Sequence, residues 1–459
     1  MTGRDEMMLV AILSLPAMLA QLSTIVMEYI DASMVGSLGK EASASIGLVS
    51  TTIWLFGGLI SACATGFYVQ VAHRYGACQT HDAREVLRQS LPATLTFSIA
   101  LALIGAALSP FLPHWLGGGA DIAHDASIYF LGFSLSLPFA ALNSLCGGML
   151  RSVGNVHISS LINVLMCALD VLFNALLIFP TREVGVLGTT LTLPGAGWGV
   201  LGAVCGTSLS FIVCSLLMCW FACFRNADLN LRQDKGHFLP RLSTLRNALR
   251  IASPIGMEHG VKCAAQIVCT IIVAPLGTAA IAANSFGIII ESLCYMPGYG
   301  IADAATTLVG QSLGAGRWRL ARSFGGFTIS LGIGVMSLLA AVMYVFAPEL
   351  MALMTPDLQV QQLTTEVLRI EAFAEPMFAA SIVAYGVFVG TGHTFVPCCI
   401  NLGSIWAVRI PLSIWLAGTM GLRGVWIAMA LELTVRGLVF LWRVAKYQWK
   451  GHNTITETN

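Results

Sequence analysis

The chain has 459 residues, of which 56 % are hydrophobic and only 10 % charged, with a net charge of +1 and a mean hydropathy of +0.79. So few charges cannot cover the surface of a water-soluble globule of this length. The reading is a polytopic, all-α membrane protein whose surroundings are a lipid bilayer, with no nucleic-acid partner.

A helix needs about 20 apolar residues to cross the bilayer core, and twelve such runs follow one another. The first starts near residue 8, carries Pro16 and ends in Glu28 and Asp31. It is longer than the roughly 7–15 residues of a signal core and no small-x-small cleavage site follows, so it reads as the first helix of the mature protein. The next five start near residues 44, 91, 126, 158 and 198. A polar stretch, FRNADLNLRQDKGHFLPRLSTL, then separates them from six more runs starting near 249, 279, 323, 367, 395 and 422. The expected organisation is therefore a six-helix bundle over 1–224, a linker over 225–247 and a second bundle over 248–459. An insertion at about 181–196 lengthens the connection between the fifth and sixth helices.

The halves are copies. VAHRYGA (Val71 to Ala77) and VGQSLGA (Val309 to Ala315) lie 238 residues apart. The same offset places Pro16 on Pro254, Ala83-Arg84 on Ala321-Arg322, Pro138 on Pro376, Gly154 on Gly392 and Asn163 on Asn401. A constant spacing held this long means two modules in tandem. By alternate connections, Lys and Arg number 17 on one side and 3 on the other, which puts both termini and the linker in the cytoplasm. With an even number of helices per half, the repeats are parallel, and a cavity between two bundles is expected. Prolines 16, 138, 254 and 376 are expected kinks in matched positions. Most of the thirteen cysteines sit in apolar runs as small hydrophobes.

An ionisable side chain at the centre of a span costs at least about 2.5–3.5 kcal/mol, so each one is a functional candidate. Asp170 lies in mid-helix in NVLMCALDVLFNALLIF, with Asn163 and Asn174 on the same helical face. Those oxygens suit either proton exchange or a sodium ion, and the sequence leaves both open. Asp31 and Glu28 end the first helix. At the repeat offset Asp31 meets Cys269 and Asp170 meets Val408, so the acids do not repeat although the scaffold does. The second half has its own set: Glu258 with Lys262 and Glu432 with Arg436, each spaced as an ion pair, and Glu371 with Glu375, with Arg369 as their expected counter-ion. Glu291 and Asp303 flank Tyr295, Met296 and Tyr299, an aromatic and thioether lining suited to a flat cation. No Walker loop, His-Glu-x-x-His or Gly-x-Ser-x-Gly occurs and histidines such as His73, His114 and His259 are single, so neither an enzyme nor a cofactor is expected.

The duplicated six-helix module, Pro16 followed by Asp31 and VGSLG, the HRYGA and GQSLGA motifs, and GTGHT after the tenth helix together resemble the multidrug and toxic compound extrusion (MATE) family. The resemblance covers nearly the whole chain. It implies two six-helix lobes in a V shape, alternating access, and secondary active export of amphiphilic or cationic organic compounds in exchange for protons or sodium. It makes Asp31 an ion-coupling residue and places Asp170 and Asn174 where the family has Asn followed four residues later by Asp or Asn. The only metal it implies is sodium at Asp31, Asp170 and Asn174. GTGHT carries Val389 and His393 where many relatives have Arg and Asp. The expected setting is the plasma (inner) membrane, with the chain acting as a monomer. The alternative is a flippase for lipid-linked oligosaccharide or another amphiphilic lipid, which calls for unpaired Lys or Arg; Lys262, Arg409 and Arg436 are the buried cations available.

Overall fold

The computed structural model describes residues 3–186 and 189–449; Lys450, counted in the charge asymmetry, lies outside them. The first half contains α1 (Gly3–Gly36), α2 (Lys40–Gly76), α3 (Thr80–Leu108), α4 (Ala120–Ser152), α5 (Val156–Leu177) and α6 (Gly199–Trp220, continued by a π turn Phe221–Arg225). The second contains α7 (Leu242–Val273), α8 (Thr278–Gly314), α9 (Trp318–Met354), α10 in two parts (Leu358–Glu371 and Glu375–Gly390), α11 (Phe395–Met420, with a π turn at Ile405–Arg409) and α12 (Leu422–Lys446). Among the described residues eleven helices are long and apolar enough to span a membrane, and the two parts of α10, bent by 59°, meet the same measure together as a broken twelfth.

Several helices begin earlier than the apolar runs indicate: α3 starts at Thr80 rather than near 91, and α9 at Trp318 rather than near 323. Hydropathy marks only the part in hydrocarbon. Segments such as DAREVLRQS are rich in strong helix formers and carry the helix on into the polar zone. A 37-residue helix such as α8 is roughly 55 Å long, well beyond the bilayer core of about 30 Å.

Two features of the backbone add detail to the expected architecture. The insertion after α5 is an antiparallel hairpin, β1 (Pro180–Val186) with β2 (Thr189–Ala196), so the chain is not purely helical. Its alternating Thr, Val and Leu favour a pleated ribbon. Of the four prolines expected to kink their helices, Pro16, Pro138 and Pro254 lie within continuous helices, and at Pro376 the helix is broken. There the chain leaves the helix after Glu371 and restarts with Pro376 in the first turn, where its missing N–H costs nothing.

The described residues form two compact units. One comprises the residues up to Leu22, Ala72–Cys78 and those from Ser253 on; the other comprises Ser23–Val71 and Gln79–Ala252. The division thus runs through α1, α2 and α7. In the first unit, Ile301, Ala305, Val309, Val383, Val387, Phe388 and Phe440 make a core across α8, α10 and α12. In the second, Phe56, Ile60, Leu101, Phe130 and Leu137 do the same across α2, α3 and α4.

Nor is the linker a free tether. Arg84 of α3 pairs with Asp234 and donates from Nε to the Asp228 carbonyl at 2.9 Å. Arg88, buried, donates to the Leu231 carbonyl at 2.8 Å, and Arg241 reaches back to Glu85 at 2.8 Å. The polar stretch is strapped along α3 because its carbonyls satisfy arginines that would otherwise be buried without partners.

In the first unit, the repeated glycines are where helices touch. A Cβ on Gly76 would lie 1.9 Å from the Gln311 carbonyl oxygen, and one on Gly314 would lie 1.9 Å from that of His73. Residues 73 and 76 correspond to 311 and 314 across the repeat, so these are one contact made reciprocally, as in a two-fold interface. The His73 ring closes the crossing with Nε2 at 2.7 Å from the Gly390 carbonyl. Gly386 and Gly390, a G-x-x-x-G pair on α10, bring its backbone against Ala302 and Thr306 of α8.

Candidate functional site

The second unit holds Asp31 near the C-terminal end of α1 and Asp170 near that of α5, the end that leads into the hairpin. Asp170 and Asn174 are fully buried, while Asp31 is half-buried. They stand one turn apart on α5, and the Asn174 amide lies between the two carboxylates. Its Nδ2 donates to Asp31 Oδ1 at 2.9 Å and to Asp170 Oδ2 at 3.2 Å. Ser210 of α6 donates to Asp170 Oδ1 at 3.2 Å. The Asn174 side-chain oxygen, Oδ1, is buried without a partner. The amide fits only because Gly206 on α6 has no side chain: a Cβ there would lie 2.1 Å from Asn174 Oδ1.

Two carboxylates sharing one amide donor are brought together by three helices, α1, α5 and α6. A site of this kind can take up a single positive charge, because two bare carboxylates this close repel each other while one added proton or cation removes the repulsion. The helical-face argument is corrected for Asn163, which accepts from Asn143 of α4 at 3.4 Å and is not part of the pair. Glu28 is exposed on α1. Ser210 and Gly206 were missed by sequence reasoning; a serine and a glycine one turn apart on an apolar helix carry no signal until a partner helix is placed against them.

In the first unit the acids fall into three groups. Glu258 pairs with Lys262 at 2.5 Å and accepts from Asn401 Nδ2 on α11 at 2.8 Å, as its spacing predicts for an ion pair. Glu432 is held by Arg409 at 2.9 Å and by Arg436 at 3.3 Å. All three cations expected to be buried have acidic partners, Arg436 in the interior and Lys262 and Arg409 half-buried, Arg409 through a residue 23 positions away that local spacing could not reveal. Glu291 of α8 converges with Glu371 and Glu375 of α10, with one carboxylate oxygen of each within 4.8 Å of the others and all three side chains buried.

Arg369 is not their counter-ion. It is exposed and lies over the Tyr344 ring, 5.3 Å from the ring centre. Two residues before Glu371 on the same helix, it points about 200° away, to the opposite face. Asp303 is half-buried twelve residues beyond Glu291 on α8, about 18 Å along the axis, and belongs to another level. Tyr295 stacks edge-on with Tyr299 and with Phe378, at 6.0 and 5.4 Å, so an aromatic ladder exists. The Phe378 face, however, is covered by the protein's own Arg436 at 5.4 Å. Met296 is half-buried on the same helix.

Known proteins agree with this architecture. The MatE family profile matches residues 16–176 and again 254–415, two matches whose starts differ by the repeat offset. The chain is 26 % identical to the "Probable multidrug resistance protein NorM" of Chromobacterium violaceum over 95 % of its own length and 93 % of that protein's. It is 24 % identical to "Multidrug resistance protein PmpM" of Pseudomonas aeruginosa, covering 96 % and 92 % of the two chains. Among solved structures it resembles an outward-facing multidrug resistance MATE transporter of the MOP superfamily, with a TM-score of 0.86 at 21 % identity and 97 % of both chains covered. A twice-matched profile over most of the chain, on a duplicated set of twelve spanning helices, means that this protein belongs to the MatE family.

Proposed function

We propose that the protein is a multidrug efflux transporter that exports small amphiphilic or cationic organic compounds across the plasma membrane, coupled to inward movement of a proton or sodium ion at Asp31 and Asp170. It acts as a monomer with both termini in the cytoplasm. The family membership and the names of its relatives support the export of drugs. One observation carries the coupling site: the carboxylates of α1 and α5 joined through the single buried amide of Asn174. Uptake of one cation removes the repulsion across that joint and so favours one arrangement of α1 and α5, while cargo favours another. Exchange follows because each ligand binds the two arrangements differently. The lipid-flippase alternative needs unpaired cations, and Lys262, Arg409 and Arg436 are all paired.

The test is export of a fluorescent organic cation by the purified protein in liposomes, under an imposed proton gradient and, separately, a sodium gradient. Transport driven by one gradient and abolished in Asp31→Asn and Asp170→Asn is the expected result. Unchanged uphill export in both variants refutes the coupling site, and movement of labelled lipid without drug transport refutes the cargo.

A further inference from the structure

Four buried carboxylates, Glu291, Glu371, Glu375 and Glu432, are grouped with two guanidiniums, the buried Arg436 and the half-buried Arg409: Glu291, Glu371 and Glu432 feel the charge of Arg409, and Glu375 feels that of Glu291. The guanidiniums are already committed: Arg409 makes two contacts to Glu432, from Nε at 3.1 Å and Nη2 at 2.9 Å, and Arg436 makes a third. Both oxygens of Glu371 and both of Glu375 are left buried with no hydrogen-bond partner. The thiol of Cys294, beside Glu375, is only a weak donor. With all six side chains ionised, this group would carry a surplus of two negative charges inside a membrane-spanning unit. An uncompensated charge there costs several kcal/mol.

The arrangement of the three free glutamates matches one remedy. Glu291 projects from α8, Glu371 ends the first part of α10 and Glu375 opens the second, so the break in α10 lies between two of the converging side chains. Three carboxylates offering one oxygen each within 4.8 Å form an all-oxygen set of the kind that hard cations take. We infer that Glu291, Glu371 and Glu375 bind one hard divalent cation of the magnesium, calcium or manganese class, which ties α8 to the break in α10. A divalent ion cancels the surplus of two, whereas a monovalent ion leaves half of it. This site is separate from Asp31 and Asp170 and stands or falls without them.

The test uses manganese as the probe on the purified full chain. Titration with Mn2+ should remove the electron paramagnetic resonance signal of the free ion at one ion per chain, and excess Ca2+ or Mg2+ should restore it. Glu371→Gln and Glu375→Gln, which keep shape and remove charge, should each weaken binding about tenfold or more, with unchanged elution on size exclusion showing that they fold. Asp82→Asn, in the separate group His81, Asp82 and Glu85, should leave this binding intact. Three results overturn the inference: no manganese bound, binding that survives both glutamine variants, or a protonated carboxyl band in the infrared that manganese leaves unchanged and Glu371→Gln removes. The last would mean that protons balance the charge.

Discussion

Replacing Gly314 by alanine tests the reciprocal crossing of the two repeats. The added methyl would sit 1.9 Å from the His73 carbonyl oxygen, which belongs to the helix backbone and cannot turn aside. Even a close carbon–oxygen contact needs about 3.3 Å, so the ends of α2 and α8 must part by about 1.4 Å. Overpacking of this kind costs typically about 1–3 kcal/mol, and a rigid backbone obstacle puts it at the top of that range. Moving His73 also strains its bond to Gly390, worth about 1 kcal/mol. The expected loss is about 3–4 kcal/mol, read from unfolding in mixed micelles of SDS and a non-ionic detergent. Gly76→Ala should behave alike, because its methyl meets Gln311 at the same 1.9 Å. Once one substitution has parted the helices the second has room, so the double variant should cost clearly less than the sum. Gly326→Ala on α9, where a Cβ meets nothing within 4 Å, is the control and should gain about 0.5–1 kcal/mol. Strict additivity of the two crossing variants, or a Gly314→Ala protein as stable as the parent, would refute the reasoning.

Lys262→Met should cost about 3–5 kcal/mol by stranding the buried Glu258 charge, and adding Glu258→Gln should recover most of it; thermal unfolding of the single and double variants checks this, and an equally unstable double would mean that packing rather than charge is at stake. Gly206→Ala should displace the Asn174 amide from both carboxylates and so lower ion-driven export as far as Asn174→Ala does, with no further loss when the two are combined. Additive losses in the transport assay would separate Gly206 from the amide.

How much was legible follows from the range over which each signal acts. Twelve spans, the duplication, and the Glu258–Lys262 and Glu432–Arg436 pairs are properties of runs or of one helical turn, and all appear in the structure. Helix ends were misplaced because hydropathy reports the hydrocarbon zone and not the helix. What could not be read is what depends on a second helix. Arg409 finds Glu432 across 23 residues, Gly206 makes room for an amide on α5, and the linker's carbonyls answer arginines on α3. Asn163 shows the opposite failure: it shares a face with Asp170 but lies two turns away, and the partner it takes, Asn143, is on another helix.

The repeat itself hid one correspondence. At the constant offset Asp31 meets Cys269 and Asn174 meets Leu412, so the acid–amide bridge of the first half has no counterpart at the aligned positions. The structure supplies one, since Glu258 of α7 accepts from Asn401 of α11 at 2.8 Å as Asp31 of α1 accepts from Asn174 of α5 at 2.9 Å. Both bridges join the first and fifth helices of their half, and both span 143 residues of chain. Mapped back onto the first half, Glu258 and Asn401 fall at Ala20 and Asn163, in each case eleven residues before the Asp31–Asn174 pair. Eleven residues are three helical turns, about 16 Å. Sliding a contact by whole turns keeps it on the same faces of both helices, which is why the bridge survives the shift while the aligned positions do not. The halves therefore keep a common joint at different heights. In one it is left as two carboxylates sharing an amide; in the other Lys262 already occupies the place of the cation, so only the first has a charge left to exchange.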